Sequence, residues 1–349
     1  MARAHNFYAG PAVLPLPALE RAQKELTDWD GTGTSVMESS HRSKEYDAVH
    51  NEAISLLREF LGLGEQYHVM YLTGGASMQF AMLPMNLLER DQTADYIHTG
   101  TWSKKAIAEA KLFGNVNVAF DGETVGLTRI PKQEELKLTA GARYVHYTSN
   151  NTIKGTQWHY TPDAGDVPLV CDMSSDFLWK KFDPAPYGMI YAGAQKNVGP
   201  AGVTVVILRN DLLEQCKAEN PTMLKYATYA EKNSLFNTPP TFNIYMLRNV
   251  LSYMKEMGGL DAMEAHNRKK AGLIYDTIDS NPDFFRAPVD KDSRSMMNIV
   301  FRLPSEELEA KFVAEGKEKN MLGLKGHRSV GGIRISAYNS CPLESVEAV

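Results

Sequence analysis

The amino-acid sequence predicts an α/β protein with a mostly parallel sheet flanked by helices and a small C-terminal α+β domain. Between residues 69 and 208, short apolar runs alternate with amphipathic stretches, which is typical of parallel strands joined by helices. The apolar runs before and after Lys196 are joined by a loop too short for a crossover, so one of these two strands should run antiparallel. Beyond Arg209 the alternation ends, which indicates a second, smaller unit.

The N-terminal part is predicted to form an extended arm and two helices. Prolines within the first 17 residues prevent a helix before about Ala18. Helical spacing covers residues 17–29 and, after a polar loop over 31–41, residues 46–61. Gly62 should end the second of these helices, because glycine readily adopts the left-handed conformation that closes many helices.

The alternating part contains the elements on which the candidate site depends. Strands are predicted over 69–72, 96–98, 116–120, 144–147, 169–171, 189–192 and 203–208, and helices over 78–88 and 102–113. The next segment, 211–232, is polar and predicted to be irregular, and residues 237–241 should form a rigid proline-containing loop.

The remaining elements suggest how the chain divides into domains. Helices are predicted over 242–257, 260–278 and 305–319, and strands over 297–303 and 331–336. We expect a large domain over 16–264 and a small domain formed by 1–15 together with 265–349. Residues 343–349 look like the first turns of a helix, and we expect that helix to be truncated.

Composition and charge argue against several classes of protein. The net charge of −5 disfavours nucleic-acid binding, which usually needs a basic face. The three cysteines are too widely spaced for a zinc site or a disulfide framework, so no metal is expected and a reducing compartment fits. We find no secretory signal, and no apolar run approaches the ~20 residues of a membrane span. These features predict a cytoplasmic protein without nucleic-acid or membrane partners.

Lys196 lies between the last two strands of the predicted sheet, in a turn made by small residues. Gly193, Gly199 and Gly202 leave little side-chain volume there, so a cofactor could approach the backbone closely. Burial lowers the pKa of an amine and makes it nucleophilic, which makes Lys196 a candidate for Schiff-base chemistry. A surface lysine in a glycine-rich hairpin would account for these residues equally well.

Further polar or aromatic groups follow other predicted strands, at the edge of the sheet where ligands of α/β proteins bind. Gly74-Gly75-Ala76-Ser77 opens a helix and could bind phosphate through free N–H groups, or could form an ordinary turn. Trp102 could stack on a flat ligand or fill the core. Asp172 could pair with a protonated ring nitrogen or cap a helix. With Lys196, these are the groups that a pyridoxal phosphate site needs.

Five segments of the chain resemble the phosphoserine aminotransferases, a class-V family. They are residues 6–12 (NFYAGPA), 33–42 (GTSVMESSHR), 191–202 (YAGAQKNVGPAG), 236–242 (FNTPPTF) and 324–334 (LKGHRSVGGIR). The resemblance implies the fold-type I architecture of pyridoxal phosphate (PLP)-dependent transferases, with PLP covalently bound to Lys196. It also implies a homodimer with active sites near the subunit interface.

The reaction implied by the resemblance is a reversible transamination in serine biosynthesis. Glutamate and 3-phosphohydroxypyruvate would give 2-oxoglutarate and O-phospho-L-serine, so the partners would be small anionic amino acids and keto acids. Some family members also use 4-phosphohydroxythreonine in pyridoxine biosynthesis.

The resemblance also implies roles for individual residues. Lys196 and Asp172 would be catalytic: Lys196 would carry the cofactor and move a proton, and Asp172 would pair with the pyridine nitrogen. Trp102 would stack on the ring and Thr152 would bond its phenolic oxygen. The phosphate would be held by Ala76, Ser77 and Gln195, and by Asn237 and Thr238 of the other subunit. Some members have Gly-Arg at the Ala76-Ser77 positions, which leaves backbone amides and the Ser77 hydroxyl to bind phosphate in this chain.

Two basic segments suit substrates that carry a carboxylate and a second anionic group, because the planar fork of arginine binds such groups through two hydrogen bonds. By resemblance, Arg334 would hold the α-carboxylate. His41, Arg42, His327 and Arg328 would hold the distal phosphate or the glutamate γ-carboxylate. Without the resemblance, solvated surface cations are the simpler interpretation of any one of these residues.

Two other interpretations remain open. One is a related PLP enzyme, either an alanine–glyoxylate type transaminase or a cysteine desulfurase. A desulfurase needs a nucleophilic cysteine on a mobile loop, and a transaminase for small substrates would not need so many distal cations. The other is a non-catalytic anion- or nucleotide-binding α/β protein, in which Gly74-Gly75 binds phosphate and Lys196 is incidental.

Overall fold

The computed structural model describes residues 3–349. The strands are β1 (His5–Asn6), β2 (Tyr67–Leu72), β3 (Thr93–His98), β4 (Asn115–Asp121), β5 (Val145–Thr148), β6 (Leu169–Asp172), β7 (Tyr187–Gly193), β8 (Thr204–Arg209), β9 (Asn298–Phe301), β10 (Met321–Leu322) and β11 (Ile333–Ser336). The α-helices are α1 (Leu16–Glu25), α2 (Lys44–Leu61), α3 (Gly75–Leu87), α4 (Thr101–Ala110), α5 (Asn210–Leu213), α6 (Tyr226–Glu231), α7 (Thr241–Glu256), α8 (Gly259–Ser280), α9 (Glu306–Glu318) and α10 (Leu343–Ala348).

The central sheet has the strand order β2-β8-β7-β6-β5-β3-β4. Strand β8 runs antiparallel to both of its neighbours, β7 and β2, and the other pairings are parallel. The prediction of one antiparallel strand beside Lys196 is therefore confirmed, and that strand is β8. The short β7–β8 connection forces this direction, because a parallel crossover needs a dozen or more residues.

Both faces of the sheet are buried, as the sequence predicts. Successive residues of β2 alternate between two apolar clusters: Val69 and Tyr71 belong to one, and Met70 and Leu72 to the other. This period of two follows from the pleat of a strand, which points neighbouring side chains to opposite faces. Helices α2 and α7 pack in the first cluster and α3 and α4 in the second, so the α/β class is confirmed.

A third apolar cluster joins the N-terminal arm to the C-terminal part. Phe7 and Val13 of the arm pack with residues of α8, β9 and β11, such as Ile274, Ile299 and Ile335. Strand β1 also pairs in parallel with β10. These contacts support a small domain of 1–15 with 265–349, although α8 runs without interruption across the predicted boundary at 264/265. The division into domains stays a prediction.

Two local predictions need correction, and one strand was not predicted. The helix predicted over 17–29 ends at Glu25, and Trp29–Gly31 forms a separate 3₁₀ turn in which Asp30 has a positive φ of 55°. The segment 211–232, predicted to be irregular, contains α5 and α6, whose buried residues Leu212 and Tyr226 pack in the second cluster. Strand β10 was not predicted, since its two residues show no local strand pattern.

Two further predictions concern the C-terminal helix and membrane-spanning segments. Residues 343–348 do form a helix, α10, as the sequence predicts. None of the helices described between residues 3 and 349 has the length and apolar character required to cross a membrane.

Candidate active site

The candidate site lies where the carboxyl ends of neighbouring parallel strands meet. Strands β5, β6 and β7 are adjacent in the sheet and run in the same direction. Asp172 is the last residue of β6, and Thr152 and Lys196 lie in the segments that follow β5 and β7, so the topology brings these residues to one edge. The sequence could predict this convergence because each residue follows a recognisable apolar run.

The amine of Lys196 lies deep in this site. Its Nζ donates a 2.8 Å hydrogen bond to the hydroxyl of Thr152. Burial lowers the pKa of Lys196 to about 8; the charge of Asp172 opposes this shift and that of Arg334 adds to it. About a tenth of the amine is therefore unprotonated at pH 7, far more than for a lysine with the ordinary pKa, and this neutral form is the nucleophile.

The N-terminal arm packs directly against Lys196. The Ala12 N–H donates to the carbonyl of Gln195 at 2.9 Å, which fixes the arm beside the turn. Gly10 has a φ of +137°, and a Cβ on it would lie 3.1 Å from Cγ of Lys196. The positive φ favours glycine here, and a Cβ would crowd the Lys196 side chain, which would have to shift by a few tenths of an ångström. The sequence analysis missed this contact, although Gly10 belongs to one of the five family segments.

Asp172 is buried at the end of β6 and is held by Ser174. Its Oδ1 accepts hydrogen bonds from the backbone N–H (3.0 Å) and the hydroxyl (2.6 Å) of Ser174. Burial raises the pKa of Asp172, while the charge of Lys196 and the Ser174 bonds act in the opposite direction. The sequence analysis did not identify Ser174, although an aspartate side chain commonly accepts a hydrogen bond from the backbone N–H two residues on.

Trp102 lies in the first turn of α4, which begins where β3 ends. The centroid of its ring is 5.3 Å from Nζ of Lys196. Its indole Nε1 is buried and, among the described residues, has no hydrogen-bond partner. The ring is only partly buried: it packs against the second apolar cluster and also borders the site through its approach to Lys196.

Helix α3 offers a place for an anionic group. Gly74 and Gly75 have positive φ values of 85° and 63° and turn the chain from β2 into the helix. The helix begins at Gly75, so the N–H groups of Gly75, Ala76 and Ser77 have no partner within it. Such free N–H groups and the positive end of the helix dipole bind phosphate.

The cations predicted to bind substrate are only partly brought together in this chain. Arg334 is half-buried on β11 and donates to the carbonyl of Thr152 at 3.2 Å. His327 lies near enough to Arg334 and Arg328 for their charges, together with burial, to lower its pKa. Within the described part of the chain, His41 and Arg42 form no hydrogen bond with any other predicted site residue.

Asn237 and Thr238 are both exposed and likewise stand apart from the Lys196 cluster. Their recorded hydrogen bond is a long one of 3.4 Å, from the Asn237 amide to the Thr238 carbonyl. An exposed position in one chain is what a residue that serves another subunit would need.

The residues of this edge fit the cofactor implied by the resemblance. The amine of Lys196 could supply its covalent contact, the carboxylate of Asp172 its pyridine-nitrogen contact and the ring of Trp102 its stacking contact. Oδ1 of Asp172 accepts both hydrogen bonds from Ser174, whereas Oδ2 accepts no hydrogen bond from any residue in the described range 3–349. The free N–H groups of α3 could supply its phosphate contacts.

Comparison with known proteins gives consistent matches along nearly the whole chain. The family model described as aminotransferase class-V matches residues 4–349. The chain is 54% identical over 347 residues to a phosphoserine aminotransferase of Niallia circulans, covering 99% of this chain and 96% of that protein. It is 55% identical over 349 residues to one of Desulfatibacillum aliphaticivorans, again covering 99% and 96%.

Solved structures agree with the sequence matches. A phosphoserine aminotransferase from Bacillus circulans subsp. alkalophilus superposes with a TM-score of 0.97 at 55% identity, covering 99% of this chain and 96% of that one. A PLP-bound phosphoserine aminotransferase from Trichomonas vaginalis superposes with a TM-score of 0.93 at 41% identity, covering 99% and 98%. A further phosphoserine aminotransferase structure, which describes radiation damage of its Schiff base, gives 0.98 at 50% identity, covering 100% and 97%.

Proposed function

Because the chain belongs to the class-V aminotransferases and, within them, to the phosphoserine aminotransferases, we propose that its substrates are L-glutamate and 3-phosphohydroxypyruvate. The products are 2-oxoglutarate and O-phospho-L-serine, which places the enzyme in serine biosynthesis. The observation that carries this proposal is the arrangement around Lys196: a buried amine beside Asp172 and Trp102, with Arg334 and His327 at the same edge. An amine for covalent catalysis thus adjoins cations for an anionic substrate.

The enzyme is a PLP-dependent aminotransferase, and the cofactor is held covalently. When bound, PLP draws electrons from the substrate α-carbon, which makes the proton on that carbon removable. We assign the covalent attachment to Lys196. Its depressed pKa and its hydrogen bond to Thr152 support this assignment.

The surrounding residues hold and orient the cofactor. Asp172, fixed by Ser174, pairs with the pyridine nitrogen, and Trp102 stacks on the ring. Thr152 bonds the phenolic oxygen. The phosphate binds to the backbone N–H groups at the start of α3 (Ala76, Ser77), to Gln195 and to Asn237 and Thr238 of a second subunit.

Proton transfer falls to the amine of Lys196. Once the amino group of the substrate has displaced it, this amine takes the proton from the α-carbon and later returns one, acting first as general base and then as general acid. A pKa of about 8 suits both roles, because it lies close to neutral pH. The Thr152 hydroxyl, 2.8 Å away, restricts where the amine can move.

Substrate binding depends on cations at the same edge of the sheet. Arg334 holds the α-carboxylate, and its position is fixed by the Thr152 carbonyl. His327 and Arg328, together with His41 and Arg42, hold the distal phosphate or γ-carboxylate. In this acidic protein such a concentration of cations favours doubly anionic substrates over alanine or glyoxylate.

We further propose that the enzyme is a homodimer with shared active sites. Large apolar side chains are exposed beside several predicted site residues: Met37 before His41, Met78 after Ser77, and Phe236 before Asn237. Exposed apolar side chains commonly mark protein interfaces. A partner subunit would cover them and bring Asn237 and Thr238 to its neighbour's phosphate site.

A cytoplasmic location is consistent with the three cysteines, which are unpaired thiols. Two of them, Cys171 and Cys341, are buried, and burial raises the pKa of both thiols, which makes them poor nucleophiles. The same observation argues against the cysteine desulfurase alternative, which needs a reactive thiol.

The direct test is a panel of half-reactions with the PLP-loaded enzyme. We expect phosphoserine and glutamate each to abolish the visible absorption of the cofactor, and alanine and aspartate to leave it unchanged. The absorption changes because only a substrate that completes the half-reaction converts the cofactor to its amine form. Bleaching by alanine alone would overturn the proposed substrates and favour a small-substrate transaminase. If the protein showed no absorption band of a bound cofactor, the alternative of a non-catalytic anion-binding protein would be favoured.

A further inference from the structure

Lys105 is a cation near the candidate site to which neither the family segments nor the proposed function assigns a role. It lies on α4, three residues after Trp102, and its Nζ is 4.7 Å from the centroid of the Trp102 ring. The Nζ of Lys196 approaches the same ring at 5.3 Å. Because both amines approach the same ring, Lys105 lies at the edge of the site that contains Lys196.

Lys105 also lies near enough to His327 for its charge to act on that imidazole. Its charge, after burial and the charges of Arg334 and Arg328, contributes to the lowered pKa of His327. Between residues 3 and 349 no carboxylate lies at ion-pair distance from Lys105, and this includes Glu109 one turn further along α4. Its charge is thus available to a ligand.

The neighbouring lysine behaves differently. Lys104 forms a 2.7 Å ion pair with Glu123, and both side chains are largely exposed. Two lysines that are adjacent in sequence on α4 therefore have different environments: one is paired with a carboxylate, and the other is unpaired over the ring of Trp102. Both lysines are exposed, and what distinguishes Lys105 is its position over the Trp102 ring at the edge of the site.

We propose that Lys105 determines specificity by binding the distal phosphate of the substrate, together with His327 and Arg328. The inference rests on the proposed function. When the substrate amine is at Lys196 and its α-carboxylate at Arg334, the distal group is what remains to meet further cations. An ammonium group with three donors suits a phosphate, which carries about 1.5 to 2 negative charges at pH 7.

The test compares Lys105→Met with the wild-type holoenzyme in steady-state kinetics. We expect the KM for phosphoserine to rise about threefold to tenfold with kcat nearly unchanged, because Lys105 does not touch the reacting atoms. The KM for glutamate should rise less than about twofold, since its distal group carries one charge. Lys105→Arg keeps the charge and should restore most of the affinity for phosphoserine.

A pH profile separates phosphate binding from a purely structural role. The second pKa of a phosphate monoester is about 6. Between pH 5.5 and 7.5 the wild-type KM for phosphoserine should therefore fall as the dianion forms, and this fall should be shallower in Lys105→Met. A change of helix stability would not alter the steepness of this dependence.

Lys104→Met is the matched control, since it removes an identical side chain from the same helix turn. It should leave the KM of both substrates unchanged. Equal KM values in Lys105→Met and Lys104→Met, or an equal rise for phosphoserine and glutamate in Lys105→Met, would overturn the inference alone. Failure of the wild-type enzyme to use phosphoserine would overturn the proposed function and this inference with it.

Discussion

At the scale of single residues, the chemistry depends on how the protein controls the charge of Lys196. The amine is buried, and desolvation favours its neutral form more than Asp172 favours its ammonium form, so the pKa falls from 10.5 to about 8. A lysine with the ordinary pKa would be almost entirely protonated at pH 7, and therefore a poor nucleophile.

This shift predicts how the cofactor-free enzyme should react with PLP. Raising the pH removes the proton from Lys196, so the rate of covalent attachment should rise about tenfold per unit below pH 8 and level off above it. Stopped-flow absorbance across pH 6–10 would measure this rate. Lys196→Ala is the control and should give no covalent product after borohydride reduction. A wild-type rate that still rises between pH 9 and 10 would show that the amine is not perturbed.

The sequence places Lys196, Asp172, Trp102 and Thr152 after predicted apolar strands, and the structure brings Lys196 close to the other three, while the roles of all four stay predictions. Sequence alone cannot identify the contacts that tune them. The arm residue Gly10 meets Lys196 only after β1 pairs with β10, and that pairing joins residues more than 300 positions apart in sequence. Such contacts depend on tertiary structure, which no local pattern encodes.

At the scale of elements, the loop between β10 and β11 is held by a clamp that the sequence does not reveal. Glu309 of α9 accepts a 3.1 Å hydrogen bond from the Gly332 N–H and a 2.5 Å bond from Nε of Arg302. Arg302 in turn donates to the carbonyl of Val330 at 3.2 Å. The loop that carries His327 is thereby attached at two points to elements outside it.

Breaking this clamp should impair substrate binding as well as stability. Glu309→Gln removes the charge of a mostly buried carboxylate, which we expect to cost about 1–3 kcal/mol in unfolding free energy. The loosened loop should also raise the KM for phosphoserine several-fold, measured by steady-state kinetics beside thermal unfolding.

Asp279→Asn provides the comparison for the clamp. Asp279 accepts bonds of 2.9 and 2.8 Å from Arg294 in the same part of the chain but makes none to the loop. The substitution Asp279→Asn should lower the free energy of unfolding to a similar extent and leave the KM for phosphoserine unchanged. If both variants raise the KM equally, the clamp has no specific effect on substrate binding.

The larger elements were predictable because their patterns are local and long. Helix α2, for example, is amphipathic throughout, starts at the Ser43 cap and ends at Gly62, which has a φ of 61°. The short helix α6 was missed because Tyr226 and Tyr229 are buried by the neighbouring sheet. In that segment tertiary burial, and not local periodicity, decides the structure.

At the scale of the whole molecule, one chain does not assemble every predicted site residue, which makes shared active sites testable. Lys196→Ala removes the amine from one subunit, and a double variant of Asn237 and Thr238 to alanine removes the phosphate contacts that we assign to the partner. Each variant alone should be nearly inactive.

Refolding the two variants together forms mixed dimers in which one site combines an intact Lys196 with intact Asn237 and Thr238 from the other chain. Activity should then recover to about a quarter of the wild-type value, because about half of the dimers are mixed and each holds one complete site. If Asn237 and Thr238 instead served their own subunit, no mixed dimer would contain a complete site, and refolding the two variants together would restore nothing.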